Sequence, residues 1–421
     1  MKRKWFAMGI ILLFLGTCII PAMAQTTEKS HPTSRESWLY VGGNGPGNYS
    51  RIQDAIDNAS EGDTVFVYCG IYLENVNVEK DAISLVGEDK NTTFLDGKKE
   101  DDVLRISGNY TNIEGFSIQN SRNMNRGISV QNLKNPSCNV KNIHISNCII
   151  KNDDHGVVLS NVSHCSISHC QFYDLTAPSV TVRLLSDNIS ITNCSIHDSG
   201  EDLGGGWISP GGIIIDGWAL DYENRYNCSD ITMRNNVMYN LLGDAITIIN
   251  SSNISISYNT IYENSVKGIR TQFSRNCHIH HNTIFNNKNI GIVIYAGNGT
   301  IYKNHIYQNG IGKYFDGGIL LQDCYNNSTV ADNTIESNNK YGVLLIRSSK
   351  NTLVKNNFIN NTINAYFLQR AFFNQWSENY WDRPRMLPYP IFGIIWGQVK
   401  KLRIPWVTFD WHPAQGPYDL P

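Results

Sequence analysis

Repetition constrains this chain more than any other feature. Nine segments share one pattern, a small residue followed by alternating apolar positions: Arg126-Gly-Ile-Ser-Val, His155-Gly-Val-Val-Leu, Pro178-Ser-Val-Thr-Val, Gly211-Gly-Ile-Ile-Ile, Asp244-Ala-Ile-Thr-Ile, Lys267-Gly-Ile-Arg-Thr, Ile290-Gly-Ile-Val-Ile, Gly317-Gly-Ile-Leu-Leu and Tyr341-Gly-Val-Leu-Leu. Their small residues are spaced 23 to 33 apart, and 23 recurs. A second alternating segment follows each first one, as in Asn188-Ile-Ser-Ile-Thr, Asn253-Ile-Ser-Ile-Ser and Asn276-Cys-His-Ile-His, and then a turn and a third short strand. Alternation of period two marks half-buried strands. Three strands in so short a cycle leave no room for a propeller blade, and no helical stripe supports a helical repeat. The pattern predicts an all-β fold, a single right-handed parallel β-helix. Roughly a dozen coils stacked at the ~4.8 Å strand spacing would make a rod of about 60 Å.

The turn before the third strand carries a column: Cys148, Cys170, Cys194, Asn236, Asn259, Asn282, Asn304, Asn333 and Asn357. Asn is a poor helix and strand former, so an ordered role is expected. A stacked, inward amide can satisfy buried turn backbone from coil to coil. Cys at the first three positions, and Cys165 and Cys277 at a position otherwise held by Ile143, Ile189, Ile231 and Ile254, read as small packed residues rather than disulfides.

An open stack needs caps. Ile52, Ala55, Ile56 and Ala59 form a short helical stripe, which predicts an N-terminal cap helix between Ser50 and Ser60. Two outward columns follow from the alternation. One runs Ser129, Val158, Thr181, Ile214, Thr247, Arg270, Val293, Leu320, Leu344, Phe367; the other runs Gln131, Ser160, Arg183, Asp216, Ile249, Gln272, Tyr295, Gln322, Ile346, Gln369. The late coils therefore present an outward apolar strip that needs covering. The tail, rich in Pro and Trp, is expected to fold back along it.

Met1 to Ala24 reads as a signal peptide: Lys2, Arg3 and Lys4, an apolar Ile10–Ile20 and an Ala22-Met23-Ala24 cleavage site. The expected organisation is leader 1–24, linker 25–37, capped β-helix 38–370 and capping tail 371–421. No later apolar run is long enough to span a bilayer. The net charge is −2, and loss of the three leader bases takes it near −5. That balance does not favour nucleic acid. Secretion and a monomer are expected.

The segments Tyr40-Val-Gly-Gly-Asn-Gly-Pro-Gly-Asn-Tyr-Ser, Ile52-Gln-Asp-Ala-Ile, Gly62-Asp-Thr-Val-Phe-Val and Ile83-Ser-Leu-Val-Gly-Glu-Asp resemble the start of secreted pectin-lyase-like β-helix proteins. They are most similar to the carbohydrate-binding and sugar-hydrolysis (CASH) group, related to NosD. Asn379-Tyr-Trp-Asp resembles the closing signature of such helices. The resemblance implies the fold and a sugar bound on a strand face. It does not select among lyases, hydrolases, epimerases and adhesins.

The polar part of the outward face is the candidate site. Arg183, Asp216 and Arg270 are the candidate catalytic residues; Thr247, Gln272, Tyr295, Asp244 and Lys267 are candidate substrate contacts. Trp207 and Trp218 sit on two insertions, 197–210 and 218–227, that would overhang this face. Aromatic rings beside hydrogen-bonding groups suit a sugar. The same charged pairs also read as ordinary surface ion pairs between coils. Asp216 and Asp244 lie five residues apart in register, ~16 Å along the strand direction. That is too far for a two-carboxylate glycosidase. Asn152-Asp153-Asp154-His155-Gly156 resembles a hydrolase element but reads as a solvated turn. His278 and His280 point outward two residues apart and lack a third ligand. No cofactor is required by these residues, and Ca2+ stays open. The expected function is polysaccharide binding, with cleavage or modification as a further step. A non-enzymatic cell-surface structural or adhesion role, or metal delivery, is the alternative.

Overall fold

In the computed structural model, the residues described are 37–132, 135, 137–201, 211–217, 227–311, 316–325, 328–396 and 403–420. The leader and most of the linker, and most of both insertions including Trp207 and Trp218, lie outside them. The chain divides into residues 1–35 and 36–421, and the description concerns the second unit.

The unit is a parallel β-solenoid with three long sheets. The front sheet has 14 strands, the rear sheet 15 and the side sheet 13 among the described residues. Each coil contributes one strand to each sheet. The front sheet holds Ile213–Asp216, Ile246–Ile249 and Ile269–Gln272 in succession, and all its pairs are parallel until the last. One α-helix is present among the described residues, Ile52–Asn58.

Inward alternation builds the core. Val180, Ile213, Ile246, Ile269 and Ile292 stack in register on the front sheet and are fully buried. The small residue opening each front strand has a steric cause: a Cβ on Gly291 would sit 2.8 Å from the Gly318 carbonyl oxygen of the next coil. Seven of the described cysteines are buried and none is disulfide-bonded. Cys165 and Cys277 stand in register with Ile189 and Ile254, as their spacing predicts. Burial pushes the Cys228 and Cys277 thiols up to about 12, so they are protonated at neutral pH and serve as packing.

The amide column is real and directional. Asn259 donates its backbone N–H and its Nδ2 to Asn282 Oδ1, both at 2.9 Å, and also donates Nδ2 to the Met233 carbonyl at 3.0 Å. The same links run Asn236, Asn259, Asn282, Asn304, Asn333, Asn356 and Asn379. Each ladder amide follows a left-handed residue, such as Tyr258 at φ 57° and His281 at φ 54°. That conformation costs about 1–3 kcal/mol at a non-glycine residue, and the buried amide bonds hold it. The column continues through Asn356 rather than the expected Asn357, which instead exchanges hydrogen bonds with Tyr418. A second column, Asn264, Asn287, Asn309, Asn338 and Asn361, lies at the next turn.

Both ends are capped. The helix buries Ile52, Ala55 and Ile56 on the first coils, and a later coil neutralises its free backbone groups. Glu74 Oε1 and Oε2 accept the N–H groups of Ile52 and Gln53 at 2.9 and 3.2 Å. Lys80 Nζ donates to the carbonyls of Ile56, Asp57 and Ala59. At the other end, Tyr389–Trp396 joins Ile363–Leu368 in parallel and Arg403–Asp410 closes an antiparallel hairpin. Asp410 terminates the ladder: its Oδ2 accepts Asn379 N–H, Asn379 Nδ2 and Trp381 Nε1 at 3.0, 3.0 and 3.1 Å. Trp381 stacks on Phe358 and Tyr389, with centroids 4.4 and 4.0 Å apart, and closes the core.

Two expectations about this end are corrected. The tail does not run back along the outward strip; it extends the front sheet at its open edge and caps the ladder. The last coil is also shifted by one residue, with Leu344 opposite Tyr366 and Ile346 opposite Leu368. Phe367 therefore points into the core, and Tyr366 and Leu368 take the outward places assigned to Phe367 and Gln369. A one-residue slip exchanges the faces of a strand. The strip itself exists: Val293, Leu320, Leu344 and Ile346 form an apolar cluster separate from the core, flanked by Tyr295, Tyr366 and Leu368.

Candidate functional site

The front sheet carries the candidate residues in two groups. In the first, Arg183 and Asp216 are direct register partners on consecutive coils. Arg183 Nε donates to Ser160 Oγ at 2.8 Å, which orients the guanidinium along the sheet. Burial lowers the Arg183 pKa, and the Arg126 charge adds to this, while Asp216 opposes both. Arg183 stays cationic regardless.

The second group centres on Asp244, whose side chain is only 6% exposed. Its Oδ1 accepts the Lys267 backbone N–H at 3.1 Å and lies 3.5 Å from Lys267 Nζ. Its Oδ2 is 2.8 Å from Arg270 Nε, an ion-pair contact outside hydrogen-bond alignment, and 3.4 Å from Thr247 Oγ1. Arg270 is thus held by Asp244. Two coils, ~9.6 Å by strand spacing, separate its strand from that of Asp216, with Ile249 between them. The three candidate catalytic residues divide between these groups. Gln272 lies on the strand of Arg270 and is in register with Tyr295 on the next coil.

The structure adds a feature that sequence reasoning missed. Beyond the C-terminal ends of these strands, the corner turning into the rear sheet opens a cleft of about 660 Å³, lined by Asn227, Asn250, Asn253, Phe273, Arg275 and Asn276. Asn250 and Phe273 are left-handed corner residues, at φ 45° and 52°. Asn276 Nδ2 donates to Asn253 Oδ1 at 3.2 Å, and Asn253 Nδ2 donates to Asp230 Oδ1 at 3.3 Å. Phe273 is exposed and meets Tyr295 edge to face at 5.8 Å. Cleft and outward rows therefore meet at Gln272, Phe273 and Tyr295. The signal was present as the recurring Asn that opens each rear strand, but an Asn-rich repeat hides a surface amide among buried ones.

A second exterior array has a different role. Tyr173, His197, Tyr239, Tyr262, Phe285 and Tyr307 stack along the side sheet with centroids 4.8 to 5.4 Å apart. Neighbouring rings lie face to face along the column. The array binds coils together, at about 0.5–1.5 kcal/mol per pair.

Asp153 is not part of a solvated turn. It is fully buried, and its Oδ1 accepts the Ser121 N–H at 2.5 Å while Oδ2 has no hydrogen-bond partner. Burial raises its pKa well above 3.8. It occupies, on an early coil, the turn position that the second amide column takes on later ones. His278 Nδ1 is 2.8 Å from Thr300 Oγ1, and His280 Nδ1 is 2.9 Å from His281 Nδ1.

Residues 223–386 match the family model described as "Periplasmic copper-binding protein (NosD)". No curated protein matches the chain. Among solved structures, the fold is similar to the Azotobacter vinelandii mannuronan C-5 epimerase AlgE6 A-module, at TM-score 0.60 and 17% identity over 78% of this chain and 93% of that one. It is also similar to a mannuronic acid specific polysaccharide family 6 lyase from human gut microbiota, at TM-score 0.54 and 16% identity over 79% and 83%. A third is PfbA, a surface adhesin of Streptococcus pneumoniae, at TM-score 0.50 and 14% identity over 87% and 95%. These likenesses establish the β-helix fold. The copper in the family description finds no matching donor set: among the described residues no three His, Cys, Asp or Glu converge as a metal site. The buried thiols of Cys170 and Cys194 instead point to carbonyl oxygens, such as those of Ser168 and Thr192. Among the described residues, no helix is long and apolar enough to cross a membrane.

Proposed function

We propose that this chain is an exported polysaccharide-binding β-helix protein whose ligand lies across the front face from Arg183 to Tyr295 and enters the adjoining corner cleft. The observation that carries this reading is the cleft's lining. Asn227, Asn250, Asn253 and Asn276 offer amide donors and acceptors, Phe273 an exposed ring and Arg275 a cation, in an open trough beside the polar rows. Sugar rings present apolar faces and hydroxyl edges to such a surface. The similar solved structures, named for a mannuronan epimerase, a mannuronic acid lyase and a surface adhesin, are consistent with a glycan partner. Chemical conversion would fall to Arg183 and Asp216: a guanidinium can neutralise a sugar carboxylate while a nearby base takes a proton.

A glycan array on the protein, followed by titration calorimetry with the best polymer, tests the reading. Phe273→Ala and Asn253→Ala should each weaken binding about tenfold, the ~1.4 kcal/mol of one good contact. Asp244→Ala should weaken it through release of Arg270. Assay for unsaturated or epimerised product with Asp216→Asn separates binding from conversion. Unchanged affinity in all three binding variants would remove the cleft and face from consideration.

A further inference from the structure

The C-terminal hairpin, Tyr389–Trp396 and Arg403–Asp410, exposes apolar side chains on both of its faces. Register puts Phe392 opposite Val407 on the outward face, where they continue the apolar strip through Leu344 and Tyr366. It puts Ile395 opposite Ile404 and Gly393 opposite Trp406 on the other. Phe392 is 60% exposed, Trp396 41% and Trp406 52%, and Ile404 and Val407 are exposed as well. Arg403–Asp410 is the outermost strand of the front sheet. Ile391 and Asp410 are fully buried at the base of the hairpin, where the core and the ladder end. Ile395 packs partly on the core and Trp406 lines a small cavity with Phe367 and Trp376, but much of this apolar surface stays in solvent.

The charge here is opposite to that of the whole molecule. From Arg383 to Phe409 the sequence has no Asp or Glu, and its charged residues are Arg383, Arg385, Lys400, Lys401 and Arg403, in a chain whose net charge is −2. A basic, Trp-containing, two-faced apolar element matches an anionic bilayer surface, where Trp and aliphatic side chains enter the interface and Lys or Arg meet headgroups. A second copy of the chain would bring like charges together. A soluble acidic polysaccharide would use the charge but not Phe392, Ile404 and Val407. We propose that this hairpin docks the rod end-on to an anionic lipid surface, leaving the front face and its cleft free.

The test is co-sedimentation of the full chain with vesicles of phosphatidylcholine alone or mixed with phosphatidylglycerol, with quenching of Trp emission by brominated lipid. The expected result is binding to the mixed vesicles and quenching. Trp396→Ser combined with Trp406→Ser should weaken binding at least tenfold, and Arg403→Gln about fivefold, the effect of one basic residue at such a surface. Ile71→Ser, an exposed apolar position near the other end, should change nothing. Circular dichroism confirms folding of each variant. The proposal is overturned by absence of vesicle binding, by equal binding of the double Trp variant and parent, by hairpin-dependent dimerisation without lipid, or by hairpin-dependent capture of soluble alginate.

Discussion

Asp153 shows how a single position in a repeating column sets a pH dependence. The amides at the equivalent turn position of later coils, from Asn264 onward, both accept and donate, whereas an ionised carboxylate can only accept. Its pKa is raised in the folded state by burial. The stabilising contribution is therefore complete below the ordinary Asp value near 4 and is lost as pH rises through the elevated folded value. Asp153→Asn should raise the melting temperature at neutral pH by a few degrees, the equivalent of about 1–2 kcal/mol, and the gain should vanish in acid. Thermal scans of both proteins from pH 4 to pH 8 check this; a gain that grows on acidification would refute it. The sequence displayed Asp153 beside Asp154 and His155 and so suggested chemistry. Only the register shows that it replaces an amide. The Ile-for-Cys exchanges at Cys165 and Cys277, by contrast, were legible at once, because the positions repeat and volume alone decides them.

At the scale of elements, the ladder and the cap helix are the units to perturb. Asn282 donates to Asn304 Oδ1 and to the carbonyls of Ile256 and His280, and accepts from Asn259. Asn282→Ala strands several buried groups and should cost about 3–5 kcal/mol, read as a lower denaturation midpoint without loss of slope. The helix is short and has no capping side chain of its own at Arg51, so it depends on Glu74 and Lys80. Lys80→Met keeps the apolar stem, removes the cation from the helix C-terminus and should cost about 1–2 kcal/mol. Hydrogen exchange would show this as faster exchange confined to residues 52–59. The apolar stripe Ile52, Ala55, Ile56, Ala59 announced the helix. Its caps come from more than 20 residues downstream, a distance at which local pattern is silent. The same limit applies at the last coil: alternation alone allows two registers, and in the one adopted Phe367 joins the core together with Trp376.

For the whole molecule, the repeat made the architecture readable, while the candidate site was readable only in part. The outward rows from Arg183 to Tyr295 follow from counting, because register is conserved from coil to coil. The corner cleft does not, because left-handed turn residues such as Asn250 and Phe273 decide where it opens. The tail is the part on which integrity of the stack depends. Asp410→Ala removes the acceptor of three donors at the end of the ladder and should cost about 3–4 kcal/mol. Removal of residues 384–421 should expose Trp381 and the free strand edges and produce aggregation, measured by light scattering; a stable, monodisperse truncated protein would contradict this account.

The head-to-tail ladder has one more consequence. Every amide passes its hydrogen bonds the same way, and the series must finish on a group with nothing left to donate, the carboxylate of Asp410. Between Asn236 and Asn379 the ladder links repeat, so inserting or deleting one whole 23-residue unit, the Asn259 to Asn282 interval, keeps the form of the ladder bonds at both junctions. The molecule can therefore be lengthened or shortened in discrete steps of ~4.8 Å while its ends stay the same. Its reach is an adjustable quantity, separate from whatever it carries.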